Sequence, residues 1–381
     1  MTKISTSAAR TIIADFALEI KKRKIPTGPK PAMAVIDFRN ERKIAHERPI
    51  EFVPIELLRY RKDNGRLSSD VLNYEKSHGL LKEESEEAQE IVRKFLEDKD
   101  REKTDELLRS MEHDGQREPA IITCDGFLIN GNRRKMVLER LLKKYPGDER
   151  FSMMKVVILP GKDDEGAAPT LLEIEQIENR YQLQSEGKSE YYGFDRALSI
   201  RRKIRLGMSL REQMLDDAAY AGLPEKQLNE ELKRFENDFL KPLECVDRYL
   251  EHLGREELYA TVSAGPSDRE GRWQAFIDYS KFYGQMTDEK RRLQLGIVDR
   301  EVGTIEDVAF KIIRKRELSK TESGNLTGLP KVHKIMRDLP KLLRNKEAKK
   351  ELLKLKELGL NLDREERYDA TDREYDEREI D

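Results

Sequence analysis

The chain has 381 residues, of which 39% are charged and 37% hydrophobic, and its formal net charge is −2. This length allows two or three domains with their own cores, and the high charge indicates a helix-rich protein with much solvated surface. The two cysteines, Cys124 and Cys245, exclude a disulfide framework and a four-cysteine zinc site. No apolar run could span a bilayer and no signal peptide is visible, so we expect a cytoplasmic protein with no membrane partner.

Charge is distributed unevenly between the two ends of the chain. Residues 1–45 contain ten Lys/Arg and four Asp/Glu, whereas residues 361–381 contain four Arg and ten Asp/Glu. The basic end could contact a polyanion and the acidic end a basic partner. Solvated tails are the simpler alternative, and the acidic tail, 359–381, is predicted to be disordered.

The first elements in chain order are a helix, a linker and a strand. Apolar residues at helical spacing up to Ile20 predict an amphipathic helix that Pro26 ends, and 1–48 is interpreted as this helix plus a proline-containing linker. A short strand is predicted near 33–38. A second strand, at 50–53, is followed by a helical turn, and the charged segment 83–111 is predicted to be helical.

The central stretch, 121–142, predicts a β-hairpin that leads into a helix. Two apolar runs, 121–122 and 127–129, flank the polar turn Cys124-Asp125-Gly126. After the turn Asn130-Gly131-Asn132 the apolar spacing becomes helical. The first-turn N–H groups of such a helix lack internal partners and lie at the positive end of the helix dipole, which makes them a potential anion site.

Arg133 and Arg134 fall in the first turn of this helix, where the dipole disfavours cations unless an anion compensates them. Guanidinium groups bind phosphate oxygens through paired hydrogen bonds, so the pattern indicates a phosphate site. The alternative is that both arginines are solvated or pair with nearby carboxylates. A buried strand at 154–159 follows, and a later helix carries Glu178-Asn179-Arg180.

These motifs together resemble the N-terminal nucleotide-binding domain of the ParB partition-protein family. The resemblance is carried by the turn Gly115-Gln116-Arg117-Glu118-Pro119, the hairpin, Gly131-Asn132-Arg133-Arg134, and Glu178-Asn179. It implies an α+β fold, with a small ParB/sulfiredoxin-like mixed-sheet domain at 49–185 that has a helical insertion near 70–103. A mainly α-helical region follows.

The resemblance also implies a ligand and the residues that hold it. In the family, comparable turns bind CTP and a metal ion, so we expect a nucleoside triphosphate (CTP or ATP) and Mg²⁺ as cofactors. The implied nucleotide-binding residues are Arg66, Gly115, Gln116, Gly131, Asn132, Arg133 and Arg134, and the implied metal ligands are Glu178 and Asn179.

Two positions depart from the family pattern. Asn132 stands where the family's G-E-R-R motif has a glutamate, and Gln182 stands where its E-N-x-x-R segment has an arginine, a contact that Arg180 could make instead. Nucleotide binding is therefore the better-supported expectation, and hydrolysis by a CTPase or ATPase stays open. Catalytic residues are not readable.

The helical region after the nucleotide domain is interpreted as 186–318, with a capping box from Ser209 to Glu212. The segment 224–237 lies where ParB proteins have a helix-turn-helix, but its four glutamates favour a plain bundle role over DNA reading. Residues 329–358 predict basic amphipathic helices interrupted at Pro340. Self-association or a nucleic-acid surface would explain them, and the leucine content favours self-association.

The function implied by the resemblance is nucleotide-controlled association with DNA or with a second copy in a dimer, as in plasmid partition, which would place the protein on the nucleoid. Three alternatives stay open: a ParB-fold phosphotransferase, a nuclease, and a non-enzymatic scaffold or regulator in a mobile-element or phage-defence system. In the scaffold hypothesis the C-terminal helices and the acidic tail bind a protein partner.

Overall fold

The computed structural model describes residues 11–36, 38, 47–99, 101–164, 167–183, 193–259, 262, 269–315 and 332–354. These residues form an α+β protein that is mainly helical with a small mixed sheet, which confirms the expected coarse fold class. Of these residues, those up to 183 together with 198–232 belong to one compact unit, and 193–197 together with those from 233 to 354 belong to a second. The predicted acidic tail lies outside the described residues. No helix in the described ranges is both long and apolar enough to cross a membrane.

The first unit contains a five-stranded sheet with one parallel pair of strands. The strands are β1 (Ile25–Pro26), β2 (Met33–Val35), β3 (Glu47–Pro54), β4 (Ala120–Ile122) and β5 (Met153–Ile158). They lie in the order β1-β3-β5-β4, and β2 pairs with the start of β3. β3 is antiparallel to β5, whereas β4 is parallel to β5. A parallel pair needs a crossover connection, which the helix between β4 and β5 supplies.

Ten α-helices lie between residues 14 and 235 of the described chain. They are α1 (Ala14–Arg23), α2 (Ser68–His78), α3 (Glu86–Asp98), α4 (Arg101–Asp114), α5 (Asn132–Lys144), α6 (Leu171–Leu183), α7 (Gly193–Arg205), α8 (Leu210–Leu215), α9 (Ala218–Ala221) and α10 (Glu225–Phe235). Helices α7 and α10 each cross from one unit to the other. The two faces of β5 enter separate cores. Met154 and Val156 belong to the first, and Val157, with Leu159 just beyond the strand, belongs to the second. The second core includes Ile174 and Ile177 of α6.

The predicted hairpin is present, but its second arm is not a regular strand. The Thr123 N–H donates to the Phe127 carbonyl and the Ile129 N–H donates to the Ile121 carbonyl, both at 2.9 Å. Phe127 and Leu128 form only single bridges, to Arg59 and Ile122 respectively. The arm is not a regular strand because its backbone hydrogen bonds are divided between Arg59 on one side and β4 on the other before the chain enters α5.

The second unit is helical in the part that the structure describes. Its helices are α11 (Lys241–His252), α12 (Arg269–Thr287), α13 (Glu289–Gln294), α14 (Val302–Lys315), α15 (Val332–Arg344) and α16 (Lys346–Lys354). The predicted break at Pro340 was wrong, because α15 continues through that proline. Buried Met336, Leu339 and Leu343 hold the helix along α12, and the break falls at Asn345, whose side chain accepts the N–H groups that begin α16.

Candidate functional site

A pocket of about 630 Å³ lies in the first unit. This volume is within the range of small-molecule sites. The pocket is lined by the loop at 64–66, by one residue of α3, by one face of α4, and by the turns at 115–119 and 129–131. The first turn of α5 and two residues of α6 complete it. All seven predicted nucleotide-binding residues line it, namely Arg66, Gly115, Gln116, Gly131, Asn132, Arg133 and Arg134. Of the two predicted metal ligands, Glu178 lines the pocket and Asn179 is not among its lining residues.

Gly131 fixes the direction in which α5 enters the pocket. Its φ is +88°, a left-handed conformation that other residues rarely adopt. A Cβ at this position would lie 2.7 Å from the Ala120 Cβ and 3.2 Å from the Met154 Cε. Glycine is therefore required both by the backbone angle and by the close approach of β4 and β5.

The N-terminus of α5 has neither a side-chain cap nor an acidic residue in its first turn. Arg134 Nη1 donates to the carbonyl oxygens of Glu118, at 2.5 Å, and Pro119, at 3.0 Å. Among the residues that the structure describes, no carboxylate lies within ion-pair distance of Arg134. Burial lowers the pKa of the Arg134 guanidinium and nearby Glu118 offsets this only in part, so the positive charge is under-compensated.

Asn132, the first residue of α5, is only 7% exposed, and its Oδ1 atom has no hydrogen-bond partner in the described ranges. A buried amide oxygen without a donor costs roughly 1–3 kcal/mol. A ligand hydroxyl or amino group would satisfy it. Neighbouring Asn130 differs, because its Oδ1 accepts the Ile121 N–H at 2.8 Å.

The pocket lining combines positive charge with apolar surface. Five basic residues and three acidic residues line it, and one of the acids, Glu178, is paired with Arg61. Apolar surface comes from Leu96, Leu107, Met111 and Ile129. Sequence reasoning missed Lys103 and Tyr181. For Lys103 a signal existed, because residues 103, 106, 107, 110 and 111 share one face of α4.

Gln116 is held by backbone groups. Its Nε2 donates to the carbonyl oxygens of Lys155 and Glu118, each at 2.8 Å, and its Oε1 accepts the Lys155 N–H at 2.8 Å. The amide thus extends the sheet beside β5 and shapes the turn that follows Gly115. The predicted contact of Gln116 with a base or sugar stays a prediction, and it would compete with these bonds.

Glu178 is buried and bound by donors on both oxygens. Arg61 Nη2 donates to Glu178 Oε2 at 2.6 Å, and the Gly65 N–H donates to Glu178 Oε1 at 2.9 Å. The same Arg61 atom lies 2.8 Å from Glu175 Oε1. Burial acts to raise the pKa of Glu178, but the positive charges of Arg61, Arg202 and Lys203 together hold it below its ordinary value.

Asn179 and Arg180 bind the helices that follow. Asn179 Oδ1 accepts from Lys203 Nζ at 3.0 Å, and its Nδ2 donates to Asp216 Oδ2 at 3.1 Å. Arg180 Nε lies 3.2 Å from Asp216 Oδ1. Arg180, the candidate replacement for the family's arginine, is thus paired with a carboxylate and does not line the pocket.

Direct ligation of Mg²⁺ does not fit Glu178 and Asn179 as they are arranged. Mg²⁺ needs oxygen ligands with free lone pairs directed at one centre, whereas these side-chain oxygens accept from Arg61, Gly65 and Lys203. Within the described ranges, no group of three or more His, Cys, Asp or Glu residues could hold a metal ion. Mg²⁺ as a companion of the nucleotide stays a prediction.

No protein-family model, curated protein or solved structure matches this chain. The resemblance to the ParB family therefore depends on the motifs of the turns and of α6. Function must be inferred from the pocket and from the charged surfaces of the two units.

Proposed function

We propose that the first unit binds a nucleoside triphosphate, CTP or ATP, and that this binding controls association with DNA or with a second copy. The observation that carries the proposal is the uncapped N-terminus of α5 in a pocket, with the under-compensated charge of Arg134 beside it. Backbone N–H groups and guanidinium groups at a helix start are suited to phosphate.

Each part of the pocket has a role in this proposal. The phosphates lie at the first turn of α5, where Arg133 and Arg134 neutralise them, and Arg66 and Lys103 add positive charge. The apolar surface of α3 and α4 accepts the base. The unpartnered Asn132 oxygen accepts a hydrogen bond from a sugar hydroxyl or a base amino group.

Calorimetric titration with CTP, ATP and GTP, with and without Mg²⁺, tests the nucleotide site. We expect one nucleotide to bind, and Arg134→Ala to raise its Kd roughly 10- to 150-fold, because a charge-assisted hydrogen bond contributes about 1.5–3 kcal/mol. Arg140→Ala is the matched control, since Arg140 lies on the same helix and pairs with Glu97 and Asp105 instead of lining the pocket.

Asn132→Ala is a second variant that should weaken binding without unfolding the protein. It removes a buried oxygen that has no donor, so thermal stability should not fall. If none of the three nucleotides binds, the proposed nucleotide site is rejected. If wild type and Arg134→Ala bind with equal affinity, the placement of the phosphates beside Arg134 is rejected.

Support for a DNA contact comes from α15 and α16 in the second unit. The apolar side of α15, with Met336, Leu339 and Leu343, is buried along α12 of the same chain, so these side chains are not available for self-association. The exposed surface of the two helices carries more basic than acidic residues. Asp338, Glu347 and Glu351 lie on it beside seven basic residues, Lys334, Arg337, Lys341, Arg344, Lys346, Lys350 and Lys354. We call these seven residues the basic face.

The spacing and pairing of the basic face suit a phosphate backbone. Residues 334, 337, 341 and 344 follow one side of α15 over roughly 15 Å. Four members, Lys334, Arg344, Lys346 and Lys350, have no carboxylate partner among the residues with described positions. Such unpaired cations release counterions from DNA on binding.

Neutralising these four members to glutamine should weaken binding to a random 30-base-pair duplex and flatten its salt dependence. The slope of log K against log salt should fall by roughly 0.9 for each phosphate that the variant no longer neutralises. The comparison is a triple variant of α10, Lys226→Gln/Lys233→Gln/Arg234→Gln, which removes the cations of the predicted recognition helix. Fluorescence anisotropy at several salt concentrations measures the DNA affinity of both variants and its salt dependence. A larger loss of affinity in the α10 variant would favour the helix-turn-helix as the DNA-binding surface.

A further inference from the structure

We propose that Arg61 is the resident cation of the first unit, in the position where Glu175 and Glu178 would otherwise hold a divalent metal ion. The second part of this inference rests on the proposed function: the nucleotide binds without a metal ion bridging it to these carboxylates.

The geometry places one guanidinium between two carboxylates. Glu175 and Glu178 are three residues apart on α6 and therefore project from the same side of the helix. Arg61 Nη2 contacts both, at 2.8 and 2.6 Å, and all three side chains are at least 96% buried. Hydrogen-bonded oxygens at these distances are the same ones that a shared metal ion would use.

Both carboxylates of the cluster already have cationic partners. Arg202 Nη2 contacts the other oxygen of Glu175 at 2.6 Å, and buried Lys203 adds a third basic group beside the two carboxylates. A divalent ion would bring further positive charge into a buried site where three basic side chains, Arg61, Arg202 and Lys203, already act on two carboxylates. It would also have to displace Arg61, whose guanidinium has no other carboxylate partner in the described part of the chain, and an unpaired buried charge is strongly disfavoured.

Arg61 also ties the cation site to the wall of the pocket. Its Nη2 lies 3.2 Å from the Asp63 carbonyl, and the next residues, Asn64, Gly65 and Arg66, turn into the pocket-lining loop. Its Nη1 is buried and has no acceptor among the residues described. A cation that belongs to the chain stays in place when chelators remove metal from solution, which separates this arrangement from a metal site.

Thermal unfolding without nucleotide tests the position of Arg61. Wild type should keep its Tm within about 1 °C in EDTA, Mg²⁺ or Mn²⁺. Arg61→Ala should lower Tm by about 10 °C or more and should recover a large part of that loss when Mg²⁺ or Mn²⁺ is added, because the two carboxylates are then free to bind it. Arg61→Ala/Glu178→Gln should show no recovery.

The matched control is Arg93→Ala. Arg93 also bridges two carboxylates, Glu90 and Glu97, but on a partly exposed side of α3, where its side chain is 23% exposed. Loss of this arginine should cost little, and metal should have no effect. If Arg61→Ala fails to fold, titration of wild type with Mn²⁺ followed by electron paramagnetic resonance decides: stoichiometric binding that Glu178→Gln abolishes would overturn the proposal.

The nucleotide part is tested separately by calorimetry in EDTA and in Mg²⁺. We expect the Kd of the bound nucleotide to agree within roughly threefold, since a single charge-assisted hydrogen bond made or broken would shift it by tenfold or more. A complete loss of binding in EDTA would overturn metal-free recognition. Absence of nucleotide binding in both buffers would reject the proposed function alone, because the unfolding experiment does not require nucleotide.

Discussion

Replacing Gly131 by alanine is expected to lower the free energy of unfolding by about 2–5 kcal/mol and to abolish ligand binding in the pocket. The left-handed backbone costs a side chain about 1–2 kcal/mol, and forcing an extra carbon into a packed core costs about 1–3 kcal/mol more. Here the extra carbon would lie 2.7 Å from Ala120, in the first position of β4. Because β4 is held in the sheet, the clash with Ala120 can be relieved only if the first turn of α5 moves.

Gly147→Ala is the matched control for this substitution. Gly147 has the same φ, +88°, and lies just beyond the other end of α5, but a Cβ there meets no atom within 4 Å. Alanine at 147 should therefore cost only the backbone term, about 1–2 kcal/mol, and leave binding intact. Urea unfolding of both variants gives the difference, and equal losses would contradict a steric role for Gly131.

Replacing Glu178 by glutamine is expected to destabilise the first unit by about 3–5 kcal/mol, the usual effect of breaking a buried charge pair. Glutamine keeps the size of the side chain, and one oxygen can still accept the Gly65 N–H. Arg61 then faces an amide and a single carboxylate, Glu175, and all three side chains are at least 96% buried in the wild-type protein. Urea unfolding at pH 7 measures the loss.

The pH dependence of unfolding gives a second readout of Glu178. Because its folded-state pKa lies below the ordinary value, the ionised carboxylate stabilises the fold above the ordinary carboxyl pKa of about 4.3. That contribution is lost as pH falls through the lower folded-state pKa. At acid pH, the free energy of unfolding of Glu178→Gln should therefore fall less steeply with decreasing pH than that of wild type.

Glu173→Gln is the control on the same helix. Glu173 caps the start of α6 by accepting the Thr170 N–H at 2.7 Å, and glutamine performs the same capping role. We expect the free energy of unfolding to fall by less than about 1 kcal/mol and its dependence on acid pH to stay close to that of wild type. Similar losses at 173 and 178 would show that the buried cluster contributes no more than a helix cap.

The sequence was sufficient to predict the turn at Gly131 and the start of α5 because the signals for both are local. A change of apolar period around Gly131 and two arginines in the next turn specify a tight turn and a helix start within a few residues. The structure places every residue of the predicted nucleotide set in one pocket. The shortened second arm of the hairpin depends on Arg59, about 70 residues away in the sequence, and had no local signal.

The partners of Glu178 could not be predicted for the same reason. Arg61 lies 117 residues before it in the chain, and a glutamate that binds an arginine has the same sequence signature as one that binds a metal ion. The leucines of α15 present a related ambiguity. An amphipathic stripe looks identical whether it packs on a second chain or on α12 of its own chain, and only the tertiary structure distinguishes the two.

The contrast between the buried cluster around Arg61 and the basic face has a practical consequence for preparing the protein. At 1 M salt the screening length is about 3 Å, which suppresses attraction between surface cations and a polyanion but hardly affects ion pairs shielded from solvent. If the basic face binds nucleic acid as proposed, a wash at that ionic strength should remove the nucleic acid while the protein stays folded. A fall in the ratio of absorbance at 260 and 280 nm after the wash would report the removal of nucleic acid, and an unchanged circular dichroism spectrum would report that the protein stays folded.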